Sequence, residues 1–248
     1  MSSWFFVAPE SLDSSPVYLD RENVRHVKAL RLKQGDALVL SDGLGRAFYG
    51  RLEQLQEDKA RVELLGEVKS SPEPNLEVRL FLGITKSDKI DTVVRQCVEL
   101  GCSQIVPVIN ERTVVNASAA KWEKKARRWR NIALAAASQS RRSRIPAIAV
   151  PHRFQEALLL LEKEELTIVP WEEEKERTLG ALLKQYSSPP QATSIVTGPE
   201  GGISREEMAR LQELSSISTV TLGPRILRAE TAPVAVLSVL MGFWGDMA

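Results

Sequence analysis

The stretch ATSIVTGPEGGISREEMARL, Ala192 to Leu211, decides the reading of the fold. It opens with a short run rich in β-branched and apolar residues, passes through glycine and proline, and ends in a helical apolar pattern. Ser204 and Glu207 stand three apart just before that pattern, the spacing of a capping box: each side chain satisfies the other's free amide at a helix start. Strand, loop and helix are therefore expected, with Gly198–Gly202 at the carboxyl end of a strand. That is where open α/β sheets take up ligands. Glycine lets a backbone approach a ligand closely. The same five residues also suit a tight turn with Glu200 tied to its own backbone. The loop is neither a G-x-G-x-x-G dinucleotide fingerprint nor a P-loop, since no Gly-Lys-Ser/Thr follows it.

A second stretch repeats the design. VTLGPRILRAETAPVAVLSVL, Val220 to Leu240, reads as strand, glycine loop and helix. Thr231 is expected at the N-cap, and Pro233 is tolerated in a first turn. Arg225, Arg228, Glu230 and Thr231 lie between strand and helix, so two glycine loops at strand ends are expected to share one pocket. Upstream, LEVRLFLGI, CSQIVPVIN, IPAIAV and ELTIVP are further strands. SDKIDTVVRQCVELG is a helix with Ile90, Val93, Val94, Cys97 and Val98 on one face and Gly101 as its stop. SAAKWEKKARRWRNIALAAASQS is a long helix with Trp122, Ala126, Trp129 and Ala133 on one stripe, placing both tryptophans in the core. Alternating strands and helices predict an α/β fold with a parallel sheet covered on both faces.

The first 70 residues differ in texture. DALVLSDGLGRAFYGRLEQL reads as a hairpin around Asp42-Gly43 and Gly45, and KARVELLGEV adds a strand. Short strands in so small a segment suggest a small barrel, which has no open edges. SSPEPN, Ser70 to Asn75, is the expected linker. The expected organisation is thus a β domain over 1–70, a linker over 71–75 and an α/β domain over 76–248.

Composition excludes several classes. No apolar segment reaches the roughly 20 residues that cross a bilayer, and the N-terminus lacks a basic region before its short apolar run. Cys97 and Cys102 do not form a C-x-x-C pair, and with only His26 and His152 as imidazoles no metal site is expected. A cytoplasmic protein with reduced thiols follows. Net charge is only +1, but it is unevenly spread. Lys121 to Arg144 carries nine bases against one acid, while Glu162 to Arg177 carries seven glutamates against three bases. Such polarity suits a polyanionic partner.

GPEGGIS followed by LGPRILRAETA resembles the RsmE family of SPOUT-class methyltransferases, which methylate N3 of a uridine in 16S ribosomal RNA. The resemblance extends to KSDKIDTVVRQCVELG, INERTVV, KKARRWRNIALAAASQSRRSRIPAI and HVKALRLKQGD, and so covers nearly the whole chain. It implies a PUA-like, RNA-binding β-barrel first domain. It also implies a SPOUT-type parallel α/β sheet whose C-terminal elements form a trefoil knot around S-adenosylmethionine, in a homodimer acting on the small ribosomal subunit. Trp4 departs from the pattern, standing where family members often carry arginine. The region ILRAETA lacks the Ser-Leu-Asn of the related ribose 2′-hydroxyl enzymes.

The resemblance assigns cofactor contacts to Gly198, Glu200, Gly201 and Gly202 of the first loop. From the second it assigns Leu222, Gly223, Ile226, Leu227, Arg228, Thr231 and Ala232. Methylation at N3 requires an unpaired base and loss of its proton, through a general base or a cation that stabilises the imide anion. Arg112, Arg228 and Glu230 are the catalytic candidates; Glu230 also suits favourable electrostatics at a helix N-terminus. Trp171 either lines the pocket or, as is favoured, packs on the surface. Lys86, Arg112, Arg141, Arg142 and Arg144 are the candidate RNA contacts.

Overall fold

The computed structural model describes residues 3–69, 72–86, 89–115 and 117–247. Ser70 and Ser71 of the expected linker, and Ser87 and Asp88 at the head of an expected helix, lie outside the described residues. So do Met1, Ser2 and Ala248, at the ends of the two expected domains. The chain forms two compact units: Met1–Glu73 with Leu134–Ile145, and Pro74–Ala133 with Pro146–Ala248.

The first unit contains β1 (Ser3–Phe6), a short 3-10 turn (Pro9–Asp13), β2 (Val17–Leu19), α1 (Arg21–Ala29), β3 (Ala37–Ser41), β4 (Ala47–Leu55) and β5 (Ala60–Glu67). Its sheet runs β1-β3-β4-β5-β2; only β1 and β3 are parallel. This curled, mixed five-stranded sheet is the coarser form of the small barrel expected there; among the described residues β1 and β2 are its two ends. Segment 134–145 attends the β1–β3 side: Ser138 Oγ donates to the Trp4 carbonyl at 2.7 Å, and Ser41 Oγ donates to the Ser143 carbonyl at 2.9 Å. Covering an edge protects it. α1 starts at Asp20, whose side chain accepts from the Asn23 amide at 2.8 Å, and buries Val24 and Val27 against Phe5, Leu38, Leu40 and Leu52.

The second unit contains β6 (Val78–Gly83), α2 (Lys89–Glu99), β7 (Gln104–Ile109), α3 (Ala119–Ser140, its last turns in the first unit), β8 (Ala147–Ile148) and β9 (His152–Arg153). It continues with α4 (Phe154–Leu161), β10 (Leu166–Pro170), α5 (Leu179–Leu183), β11 (Thr193–Thr197), α6 (Arg205–Gln212), β12 (Ile217–Val220) and α7 (Ala232–Phe243). The sheet is parallel throughout, in the order β12-β10-β11-β6-β7-β8, with β9 also on β7. The near-continuous apolar strands are those of a sheet buried on both faces.

The helices follow their patterns. α2 buries Ile90, Val93, Val94, Cys97 and Val98, and α3 buries Trp122, Ala126, Trp129 and Ala133. Burial pushes the Cys97 thiol up, so it is an inert packing group. One topological fact positions the site. β12 is an edge strand, yet α7, next in sequence, packs beside α2, β6 and β11. The connection, Thr221–Thr231, must return toward the middle of the sheet from that edge.

Candidate active site

A cavity of about 800 Å³ is lined by Pro170 at the end of β10, Thr197 at the end of β11 and the loop that follows β12. The β11–α6 loop contributes Gly198, Pro199, Glu200 and Gly202, and the β12–α7 loop contributes Thr221 through Glu230 together with Ala232 of α7. Trp171, Glu172, Lys175 and Thr178 come from the segment between β10 and α5, and Lys89 from the head of α2. The two glycine loops expected to share a pocket do share one.

The first loop is tightly built. A Cβ on Gly83 would lie 2.5 Å from Gly198 C and Pro199 N, so only glycine lets the loop rest on the end of β6. A Cβ on Gly198 would lie 2.7 Å from Gly202 C. The capping box forms as expected: the Glu207 amide donates to Ser204 Oγ and the Ser204 amide to Glu207 Oε2, both at 3.2 Å. Glu207 is buried and has a second task. Its Oε1 also accepts from Asn110 Nδ2 at 3.2 Å and from the Glu111 amide at 3.0 Å, tying the β7–α3 loop to the same helix start. Next along, Arg112 Nη1 donates to the Gly201 carbonyl at 2.7 Å.

Charges converge inside the cavity. Lys89 Nζ lies 3.2 Å from Glu230 Oε2 and 3.9 Å from Glu200 Oε1, and Arg228 Nη1 lies 4.0 Å from Glu230 Oε1. Glu200 Oε1 also accepts from the Lys86 amide at 2.9 Å, so Glu200 is bonded to a neighbouring loop rather than to its own. Glu230 is held below the ordinary carboxylate range. Its own backbone N–H contributes most, with the Lys89 ammonium and the Arg228 guanidinium adding to it against the opposing effect of burial. The site therefore presents an ionised carboxylate flanked by two cations. Thr197 lines the cavity wall, but its Oγ1 is buried and has no hydrogen-bond partner among the described residues.

The second loop is open. Gly223 has φ +101° and nothing within 4 Å of the position a Cβ would occupy, and Ile226 is 87% exposed on the cavity rim. Thr231 stands at the N-cap position of α7, but its side chain makes no capping bond; the amides of Thr231 and Ala232 instead reach the Arg228 carbonyl at 2.9 and 3.1 Å.

Most of the expected site residues meet here: Gly198, Glu200, Gly202, Leu222, Gly223, Ile226, Leu227, Arg228, Glu230 and Ala232 all line the cavity. Gly201, Thr231 and Arg112 do not. Gly201 packs against the Arg112 side chain on the other flank of the loop. Trp171 lines the cavity as well as packing on the core, against the favoured surface role. The basic residues are more divided than their sequence density suggests. Arg142 is buried and pairs with Glu73 at 2.8 Å, and the Arg144 amide donates to Glu73 at 3.0 Å, so Arg142 does not fit the expected role of a surface phosphate contact. Arg128 pairs with Asp91, and Arg130 pairs with Glu123 at 2.9 Å. Arg141, Arg144, Lys86 and Arg112 remain exposed. Sequence reasoning missed Lys89, Gly83 and the second role of Glu207. Each depends on a partner more than 90 residues away.

Comparison with known proteins defines the class. A family model described as an RNA methyltransferase domain matches residues 72–241, and one described as an RNA methyltransferase PUA domain matches residues 19–65. The chain is 32% identical to ribosomal RNA small subunit methyltransferase E of Bacillus subtilis over 236 residues, covering 93% of this chain and 92% of that one. The crystal structure of ribosomal RNA small subunit methyltransferase E from Neisseria gonorrhoeae bound to S-adenosyl methionine superposes with a TM-score of 0.90 at 31% identity, covering 100% of both chains. A putative methyltransferase from Legionella pneumophila, in complex with the same cofactor, superposes with a TM-score of 0.87 at 30% identity over 99% of each chain. The chain belongs to the ribosomal RNA small subunit methyltransferase E family.

Proposed function

We propose that this protein transfers a methyl group from S-adenosylmethionine to N3 of a uridine in 16S ribosomal RNA. One observation carries the reading: two glycine loops at strand ends frame a single cavity in which Glu230 sits between Lys89 and Arg228. The relatives' names and their bound cofactor supply the reaction class.

The cavity's chemistry fits the cofactor. Leu222, Ile226 and Leu227 offer apolar surface, and Glu200 and Glu230 offer negative charge to a cationic ligand. When bound, S-adenosylmethionine supplies the electrophilic methyl on its sulfonium. The protein's tasks are to hold the uracil in line and to manage the N3 proton. Glu230, ionised at neutral pH, accepts that proton and passes it to water. A carboxylate with a lowered pKa is a weak base, so Lys89 and Arg228 matter as much: cations beside the uracil oxygens stabilise the imide anion left behind. Arg112, bonded to the Gly201 carbonyl, serves the RNA side of the loop.

On this reading residues 1–70 form the PUA-like RNA-binding domain, 71–75 the linker and 76–248 the SPOUT methyltransferase domain. The return of the chain from edge strand β12 to α7 beside β6 and β11 supports a trefoil knot around the cofactor. Val239 and Phe243, each more than 40% exposed on the apolar helix α7, support a homodimer interface. No helix among the described residues is long and apolar enough to cross a membrane, in keeping with action on the small subunit in the cytoplasm.

The test is methyl transfer from labelled S-adenosylmethionine to small ribosomal subunits lacking the modification, followed by nucleoside analysis. Label in N3-methyluridine is the expected result. Label on a ribose would move the protein to the 2′-hydroxyl class, and absence of cofactor binding would refute the enzyme reading.

A further inference from the structure

Three carboxylates are buried among the described residues: Asp42, Glu164 and Glu207. Two of them face a cation. Arg46 Nε lies 2.8 Å from Asp42 Oδ2, and Arg79 Nη1 lies 2.8 Å from Glu164 Oε1. Glu207 has no cation among the described residues. Three N–H groups hold it instead: the Ser204 amide on Oε2, and Asn110 Nδ2 with the Glu111 amide on Oε1. A buried carboxylate is costly unless its oxygens are bonded. The cap of α6 uses only Oε2, and glutamine, with one acceptor oxygen, also serves in capping boxes. A carboxylate is required here because Oε1 must accept as well.

What Oε1 holds is a closed turn. The Asn110 amide donates to Thr113 Oγ1 at 2.9 Å and the Thr113 amide to the Asn110 carbonyl at 3.0 Å, with Glu111 and Arg112 between them. The Asn110 side chain is buried, its amide nitrogen bonds Glu207, and its Oδ1 has no hydrogen-bond partner. An unmet buried oxygen costs stability, so the bond to Glu207 is what this asparagine supplies. From the same turn Arg112 Nη1 reaches the Gly201 carbonyl at 2.7 Å, and Arg112 Cβ lies 3.1 Å from where a Cβ on Gly201 would stand. The turn is therefore joined to the β11–α6 loop twice, at its buried root by Glu207 and at its exposed tip by Arg112. Neither Asn110 nor Glu207 lines the cavity, so any part they take in the reaction passes through another residue.

We propose that Glu207 is a positioning residue for methyl transfer, acting through Asn110 and the Glu111 amide to fix the Arg112 guanidinium beside the cofactor loop. A long side chain on a loose turn loses more freedom when it is ordered, and that loss is taken from affinity. A clamped base keeps the guanidinium in register with the cofactor, where small misplacements lower the rate. The inference rests on the RNA-side role given to Arg112 above, and its test separates the two.

Methyl transfer to unmodified small subunits is measured at steady state with full-length Arg112→Ala, Asn110→Ala, Glu207→Ala and Ser204→Ala. Asn110→Ala and Glu207→Ala are also placed on the Arg112→Ala background, and every variant is melted. Arg112→Ala is expected to raise the KM for subunits about tenfold. Asn110→Ala and Glu207→Ala should each raise it about three- to tenfold alone, but less than about twofold on the Arg112→Ala background, because the side chain they act through is gone. In Asn110→Ala the KM for S-adenosylmethionine should stay within about twofold of wild type. Ser204→Ala removes only the cap's hydroxyl. It should melt about 2–4 °C lower with an unchanged subunit KM. If Glu207→Ala does not fold, Asn110→Ala carries the test, since it breaks the clamp and spares the cap. Effects that multiply in the double variants would overturn the inference. So would an unchanged subunit KM in Asn110→Ala, or equal rises in both KM values, which would make the clamp a support of the fold alone. An unchanged subunit KM in Arg112→Ala would instead remove Arg112 from the RNA side, and the inference with it. Absence of transfer by the wild type would sink the proposed function and everything that rests on it.

Discussion

The two glycine loops that frame the cavity read alike in sequence but are built differently. In the β11–α6 loop the glycines are packing residues: Gly198 has backbone atoms where its Cβ would be, Gly83 beneath it has the same, and the helix start is bonded reciprocally through Ser204 and Glu207. In the β12–α7 loop Gly223 meets nothing, Ile226 is exposed, and Thr231 caps nothing. One loop is completed by its own protein. The other has few bonds to its own protein, those of Thr221 with Gly223 and Arg177 and of Arg228 with Glu230, Thr231 and Ala232. The comparison teaches that a glycine-rich motif can be a wall or a lid, and that the partners of its glycines tell which.

Substitutions should separate the two. The largest effect is expected at Glu230, where Glu230→Gln should lower kcat by about 10²-fold or more while moving the melting temperature little. The wild-type rate should in turn persist to acid pH. Because the Glu230 pKa is depressed, the carboxylate form is present above that lowered value and is lost only as pH falls through it. A rate that falls within the ordinary carboxylate range or above it would assign the limb to another group. Next is the wall. Gly83→Ala forces a Cβ onto the backbone of Gly198 and Pro199 and should destabilise by about 1–3 kcal/mol, measured by denaturant unfolding. Gly223→Ala meets no atom but places a side chain at φ +101°, so about 1 kcal/mol is expected, with weakened cofactor binding. The smallest change in stability is expected at Ile226→Ala, within about 0.5 kcal/mol of wild type. Its S-adenosylmethionine affinity should still fall by about tenfold, because apolar area buried on binding is lost. If Ile226→Ala unfolds the protein, or Gly83→Ala leaves it untouched, the contrast between the loops is wrong.

What the sequence could convey follows the same division. Local patterns were legible: the Ser204–Glu207 cap, the apolar face of α2 ending at Gly101, and the alternation that makes a parallel sheet. Those signals arise within a few residues. The cross-links were not legible. Nothing near Glu207 indicates that its free oxygen reaches Asn110 and Glu111, nothing near Lys89 points to Glu230, and Gly83 looks like an ordinary strand glycine until Gly198 lies on it. Arg142 misled for the same reason. Its basic neighbours suggest a surface, yet one distant acid, Glu73, draws it inside.

Amide hydrogen exchange of the two loops, with and without S-adenosylmethionine, tests the central contrast most directly. The amides of Gly202 and Ser204 are bonded to Pro199 O and Glu207 Oε2, whereas those of Ile226 and Leu227 find no protein partner among the described residues. The prediction is slow exchange at Gly202, Ser204, Glu207 and Met208 whether or not the ligand is present, and fast exchange at Ile226 and Leu227 that slows markedly on binding. Equal, fast exchange in both loops without ligand, or protection that leaves Ile226 and Leu227 unchanged, would contradict the account.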